Sequence, residues 1–249
     1  MQLLVSVRSG LEVAEALAGG ADLIDAKEPS RGPLGPVDRT TLRGIVAQLP
    51  SATALSLALG DHSDPAGVAA ALTDLDVPER SGPSFVKLGC AGISCPERIG
   101  SLVASAIEAA ARIPLRPTVI VVAYADSQQA GTASPGEIGR VAVSEGAGGV
   151  LIDTFGKSGG NLFDWISSAE LGRWLDAMHR AGLVTAVAGS LDTESVTRLG
   201  TTRPGVVGVR GAACVGGRGG QVSASRVRAL KRALERLDVH RADMLHSTR

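Results

Sequence analysis

Short apolar or β-branched runs alternate with amphipathic stretches from one end of the chain to the other, the rhythm of strands joined by helices. LLVSV (3–7) reads as a first strand. GLEVAEALAGG (10–20) reads as a helix closed by a glycine pair. ADLIDAK (21–27) is a second strand, and EPSRGPLG (28–35) a loop punctuated by Pro and Gly. A helix over 38–49 opens on Asp38 as N-cap, and ATALSLALG (52–60) is the third strand. The stretch 61–84 holds a helix around 65–76 and a polar connection.

The second half repeats the pattern. FVKLG (85–89) precedes a helix over 95–112, and TVIVVAYA (118–125) precedes one over 134–146 with Ser134 and Pro135 as N-cap and first residue. GVLIDTF (149–155) leads to a helix over 164–181, and LVTAVAGS (183–190) to a short one over 192–199. VVGVRG (206–211) and a helix over 223–237 complete the series. Eight strand–helix units at this length predict a single (β/α)8 barrel, a TIM barrel, over residues 1–238. The competing doubly wound sheet usually has fewer strands and a Gly-rich turn after the first, which VRSG does not supply. Residues 239–249 lack periodicity and read as a loosely ordered tail.

Composition narrows the function. Charges balance and aromatics are scarce, which argues against nucleic acid and an acidic membrane surface as partners. The N-terminus carries no basic leader and no apolar run reaches membrane-spanning length, so a cytoplasmic location is expected. Cys90, Cys95 and Cys214 have no CxxC spacing and read as small buried hydrophobes, although Cys90 and Cys214 each follow a strand. The four histidines have no metal-ligand spacing, and no metal is expected.

Lysine usage is the sharpest signal. The chain has four lysines against 21 arginines, and Lys27, Lys87 and Lys157 each sit where an apolar run ends. Arginine serves as a surface cation but forms no imine, so amines kept at three strand ends point to amine chemistry. Reactive groups of such a barrel lie at the C-terminal strand ends. Side chains two apart on a strand share a face, so Asp25 and Lys27 point together while Ile24 and Ala26 pack outward. Asp153 ends strand six, and the cluster becomes three amines and two carboxylates around one rim. Lys27 is the expected imine former because it has an acidic partner on its own strand face; an ion pair lining the core is the plainer reading of the same two residues. Lys87 reads as proton acceptor and Lys157 as a phosphate-binding or tuning group, roles that can be exchanged.

A second constellation follows strands seven and eight, where this fold commonly holds phosphate. Gly189, Ser190, Gly211 and Ala212 are the expected backbone donors, with tight turns as the plainer reading of the same glycines. Tyr124 either donates a proton or caps the core, and Asp61 is a turn former or a site acid. GGRGG (216–220) resembles a phosphate cradle in composition but lacks a GK[ST] ending.

AGGADLIDAKEPSRGPLG, FVKLG, VVAYAD, VLIDTFGKSGGNLFDW, AVAGS and VGVRGAACVGG, in this order, resemble the (5-formylfuran-3-yl)methyl phosphate synthase family, also called 4-(hydroxymethyl)-2-furancarboxaldehyde-phosphate synthases. The likeness runs from Leu3 to about Leu237 and is weakest across 61–84. It implies a (β/α)8 lyase of methanofuran or methylofuran biosynthesis that condenses two glyceraldehyde 3-phosphates, losing phosphate and water. It also implies that Lys27 forms the imine and Lys87 accepts the proton, with Asp25, Asp153 and Lys157 in the same cluster. After Lys157 the chain reads SGGNLFDW, poorer in charge than archaeal members of that family would suggest. An iminium supplies its own electron sink, so no cofactor is implied, and a triose phosphate is the implied partner. Self-association is left open. A class I aldolase acting on another sugar phosphate, and a non-catalytic phosphate-ligand barrel, are the alternatives.

Overall fold

The alternation resolves into eight parallel strands hydrogen-bonded in sequence order, with the last closing on the first. The computed structural model describes residues 1–75, 83–157, 160–200 and 202–246, with residues 239–246 described by backbone alone. The strands are β1 (Gln2–Val7), β2 (Leu23–Ala26), β3 (Ala54–Asp61), β4 (Phe85–Gly89), β5 (Thr118–Tyr124), β6 (Gly149–Asp153), β7 (Val184–Val187) and β8 (Val206–Val209). Between them run α1 (Gly10–Ala18), α2 (Arg39–Ala47), α3 (Pro65–Thr73), α4 (Pro96–Ala111), α5 (Ser127–Ala130), α6 (Pro135–Ser144), α7 (Ser168–Arg180) and α8 (Thr193–Arg198), followed by α9 (Ala224–His246). Among the described residues, no helix is long and apolar enough to cross a membrane.

Local chemistry sets the helix starts. Asp38 caps α2 by accepting from the Thr41 N–H at 2.7 Å, as its position predicts. Ser134 and Glu137 form a reciprocal capping box on α6, with Pro135 as its first residue. Such caps contribute about 1 kcal/mol each. The closing helix carries on from Leu237 through His246, into the stretch whose sequence lacks an apolar period. The connection at 76–82 lies outside the described residues.

Strand parity then sorts the side chains. Leu3, Val5 and Val7 of β1, with Ile24 and Ala26 of β2, are fully buried in the apolar layer between strands and helices. The alternate positions Leu4, Ser6, Leu23 and Asp25 face the barrel axis. On the β5–β6 side the interior is filled by a second apolar cluster of Ile120, Val122, Tyr124 and Leu151. Elsewhere around the axis stand Ser6, Ser56 and Gly208, too small to fill it. Barrels of this kind are normally packed solid by branched side chains. Here the small residues leave a cavity of about 270 Å³ running down from the C-terminal mouth.

Candidate active site

Lys27 follows the last residue of β2, and its own N–H continues the ladder by bonding the Val7 carbonyl at 3.0 Å. That bond fixes its side chain on the same face as Asp25, and both line the cavity. Lys87 lies mid-strand on β4, whereas Lys157 lies on the loop after β6. The loop is held by Asp126, whose buried carboxylate accepts from the N–H groups of Phe155 at 2.6 Å and Gly156 at 2.7 Å. All three lysines, Asp25 and Asp153 therefore meet in one cavity.

The pairing inside the cluster differs from the one the strand pattern suggests. Asp25 is not paired with Lys27; it forms an ion pair with Lys87, two strands along, Nζ to Oδ1 at 2.7 Å. The reason is geometric. Residues two apart on one strand stand side by side, whereas the long Lys87 side chain reaches past β3 to Asp25. Beyond that ion pair, Oδ1 has no hydrogen-bond partner among the described residues. Oδ2 accepts from Ser6 Oγ at 2.8 Å. Asp153 Oδ1 accepts from Lys157 Nζ at 2.6 Å and from the Thr154 N–H at 2.7 Å. Lys157 Nζ also donates to Thr154 Oγ1 at 3.2 Å.

Lys27 Nζ has no ion pair or hydrogen bond among the described residues, although only 6 % of the residue is exposed. Burial strips water from its ammonium and the Lys87 charge opposes it further. Asp153 and Asp25 only partly compensate, and its pKa is pushed down to about 7 from an ordinary 10.5. For the carboxylates the balance tips the other way. Burial pushes Asp25 up, but the charges of Lys87 and Lys27 outweigh it and hold the carboxyl below its usual range. In Asp153, burial is likewise outweighed by Lys157 and Lys27, and the net direction is down. The arrangement keeps two carboxylates ionised while leaving one amine free to be neutral.

The second constellation borders the same cavity. Gly189, Ser190, Gly211 and Ala212 all line it, together with Arg218. Gly189 (φ +110°) and Ser190 (φ +52°) are consecutive left-handed residues in the turn after β7. A Cβ on Gly189 would stand 3.1 Å from Thr154 Cγ2, so the close approach also requires glycine. Gly211 and Ala212 open a 3-10 turn, whose first N–H groups have no acceptor within it. Asp192, also at the rim, turns its carboxylate to cap α8 by accepting from the Ser195 N–H and Oγ.

Other sequence candidates fall away from the cavity. Tyr124 OH donates to the Asp61 carboxylate at 2.9 Å and 3.1 Å, its ring packs edge-on against Phe155, and neither Tyr124 nor Asp61 lines the site. Cys90 is buried beside the barrel with its thiol pushed up to about 12 by desolvation. Among the described residues, no group of His, Cys, Asp or Glu is placed to hold a metal ion.

Sequence reading missed five polar or charged lining residues: Ser6, Ser56, Asp192, Arg210 and Arg218. Strand parity with Asp25 contained the signal for the two serines. Arg218 was hidden among 21 arginines, and only its GGRGG setting marked it. It reaches back to donate to the Gly32 carbonyl at 3.0 Å.

Comparison with known proteins fits this geometry. The family model described as 4-HFC-P synthase matches residues 3–231. The chain is 35% identical over 240 residues to the (5-formylfuran-3-yl)methyl phosphate synthase of Methanothermobacter thermautotrophicus, covering 94% of this chain and 99% of that one. It is 34% identical to the same-named protein of Methanobrevibacter smithii, covering 87% and 91%. It is also 33% identical to a putative (5-formylfuran-3-yl)methyl phosphate synthase of Streptomyces griseus, covering 87% of each. Among solved structures, it resembles phosphoribosyl anthranilate isomerase from Thermus thermophilus, with a TM-score of 0.62, 17% identity and coverage of 95% and 100%. 3-Hexulose-6-phosphate synthase from Salmonella typhimurium gives a TM-score of 0.61, 17% identity and the same coverage. At such identity these two speak for the barrel alone. The match over nearly the whole sequence does more: the chain belongs to the 4-HFC-P synthase family.

Proposed function

We propose that the protein is a Schiff-base lyase that condenses two glyceraldehyde 3-phosphates into (5-formylfuran-3-yl)methyl phosphate, releasing phosphate and water, in methanofuran or methylofuran biosynthesis. The observation that carries the reading is the buried, unpaired Lys27 amine beside two lysines that each hold a carboxylate. An ordinary lysine is neutral in about one molecule in 2,500 at pH 7. With a pKa of about 7, roughly half of the Lys27 amines are neutral and nucleophilic.

The neutral amine adds to the aldehyde carbon, and the resulting carbinolamine loses water to give an iminium. The cationic nitrogen then drains electrons from the adjacent carbon, so that its proton can be taken and a carbon nucleophile formed. Lys87, held by Asp25, gives its ammonium proton to the hydroxyl leaving the carbinolamine and, now neutral, accepts the proton from the adjacent carbon. Asp153 and Lys157 shuttle protons in the later dehydrations. The substrate phosphate lies on the N–H groups of Gly189, Ser190, Gly211 and Ala212, with Arg218 supplying a positive charge.

Borohydride added with glyceraldehyde 3-phosphate should leave a reduced adduct on Lys27, located by mass spectrometry of the digest. An unmodified Lys27 under turnover would sink the mechanism. Near-ultraviolet absorbance rising together with released phosphate identifies a furan product, whereas an aldolase would give an adduct with neither signal.

A further inference from the structure

Three side chains on adjacent strands share one level of the barrel interior. Ser6 of β1 is in register with Asp25 of β2, and Asp25 with Ser56 of β3. All three are buried and line the cavity. Their hydrogen bonding differs. Ser6 Oγ donates to Asp25 Oδ2, but Ser56 Oγ has no partner among the described residues, and Asp25 Oδ1 has only the Lys87 ammonium. A buried hydroxyl without a partner destabilises a fold, and alanine would fill the same place without that cost. Adjacent strands lie about 4.8 Å apart, so Ser56 Oγ and Asp25 Oδ1 are neighbours at one level of the barrel, with the Lys87 ammonium against Oδ1.

We infer that Ser56 and Asp25 form a subsite for a hydroxyl group of the substrate, the one next to the carbon that bonds Lys27; this rests on the proposed hydroxyaldehyde phosphate substrate. The pair supplies one donor and one acceptor. Ser56 Oγ–H donates to the hydroxyl oxygen, and the hydroxyl donates its proton to the ionised Asp25 Oδ1. A carbonyl oxygen or a phosphate would meet the carboxylate as a repulsive neighbour, and an ammonium cannot accept from serine. A hydroxyl both gives and takes at one atom. Lys87, ion-paired to that same Oδ1, then stands beside the carbon that bears the hydroxyl and the proton to be removed. Ser56 is thus a positioning and specificity residue, selecting an α-hydroxyaldehyde over a plain aldehyde.

The test compares glyceraldehyde 3-phosphate with its 2-deoxy analogue, 3-phosphooxypropanal, by the concentration that half-saturates the borohydride-trapped adduct on Lys27. Wild type should prefer the hydroxylated aldehyde by about ten- to one-hundredfold. Ser56→Ala should lose that preference by weakening glyceraldehyde 3-phosphate alone, leaving the deoxy compound unchanged. Ligand-free Ser56→Ala should melt at or above the wild-type temperature, whereas Ser6→Ala, which removes an existing bond to Asp25, should melt lower. Equal half-saturation in wild type and Ser56→Ala, or equal weakening of both aldehydes, would overturn the subsite alone and leave water as its occupant. A lower melting temperature for Ser56→Ala would make the serine structural and overturn it too. No adduct with either aldehyde in wild type would overturn the proposed function, and the subsite with it.

Discussion

Two clusters of buried charge lie at the same end of this barrel and are built on opposite principles. Around Arg210, every guanidinium donor is used: Nη1 bonds Glu12 and the Ser6 carbonyl, Nη2 bonds Glu12 and the Gly220 carbonyl, and Nε bonds the Arg218 carbonyl. Glu12 also accepts from the Arg8 N–H at 2.8 Å. In the cavity that Arg210 also lines, Asp25 and Asp153 each hold a lysine, and the third lysine is left over. Full pairing locks the loops after β1 and β8 together; the odd number of amines in the other cluster leaves Lys27 to shed its proton instead. The comparison separates a charge that serves the fold from one left available to the proposed chemistry.

The contrast is broken most severely at Lys27. Lys27→Met should lower turnover by about a thousandfold or more, measured as furan absorbance, because the proposed mechanism has no other group to replace its covalent nucleophile. The same substitution should raise stability near pH 7, since it removes a desolvated amine. Glu12→Ala should do the reverse. Leaving Arg210 buried and unpaired costs about 3–5 kcal/mol, read from the denaturant midpoint, with the pH profile of the Lys27 adduct unchanged.

The pH dependence of folding sharpens the difference. Lys27 titrates lower in the folded chain, about 7, than unfolded, about 10.5. Below pH 7 both states hold the proton and the burial cost is fully present. Between those values the unfolded chain holds one proton more, so this residue makes stability rise with pH. Wild type should therefore gain on Lys27→Met across this window, by on the order of a few kcal/mol. Arg218→Met should weaken inhibition by inorganic phosphate about tenfold, without moving the Lys27 profile. The smallest effect is the most diagnostic. Lys87→Met removes an opposing charge and should shift adduct formation alkaline by on the order of one pH unit, whereas Asp153→Asn should shift it toward acid.

Much of this was legible in the sequence, for identifiable reasons. Strand periodicity located all eight strands, and the i, i+2 rule put Asp25 and Lys27 on the inner face. Short-range rules also fixed Asp38 and Ser134 as caps. What failed needed distance across the barrel. The partner of Asp25 is Lys87, two strands away, and periodicity within one strand carries no such information. Lys27 was singled out for having a carboxylate partner, yet lacking a direct one is what sets it apart. Ser6 and Ser56 passed unnoticed because a serine inside an apolar strand looks the same whether its hydroxyl is bonded or not. Arg210 and Arg218 were two among many arginines, and folding alone brings the first onto Glu12 and the second to the rim.

With four lysines in the chain, labelling lysine with 13C at Cε gives four resonances, each assignable by substitution. Followed against pH in the ligand-free protein, one signal should titrate near pH 7 and vanish in Lys27→Arg. Four signals that all titrate near the ordinary lysine value of 10.5 would contradict the claim that the fold holds a neutral, nucleophilic amine at position 27.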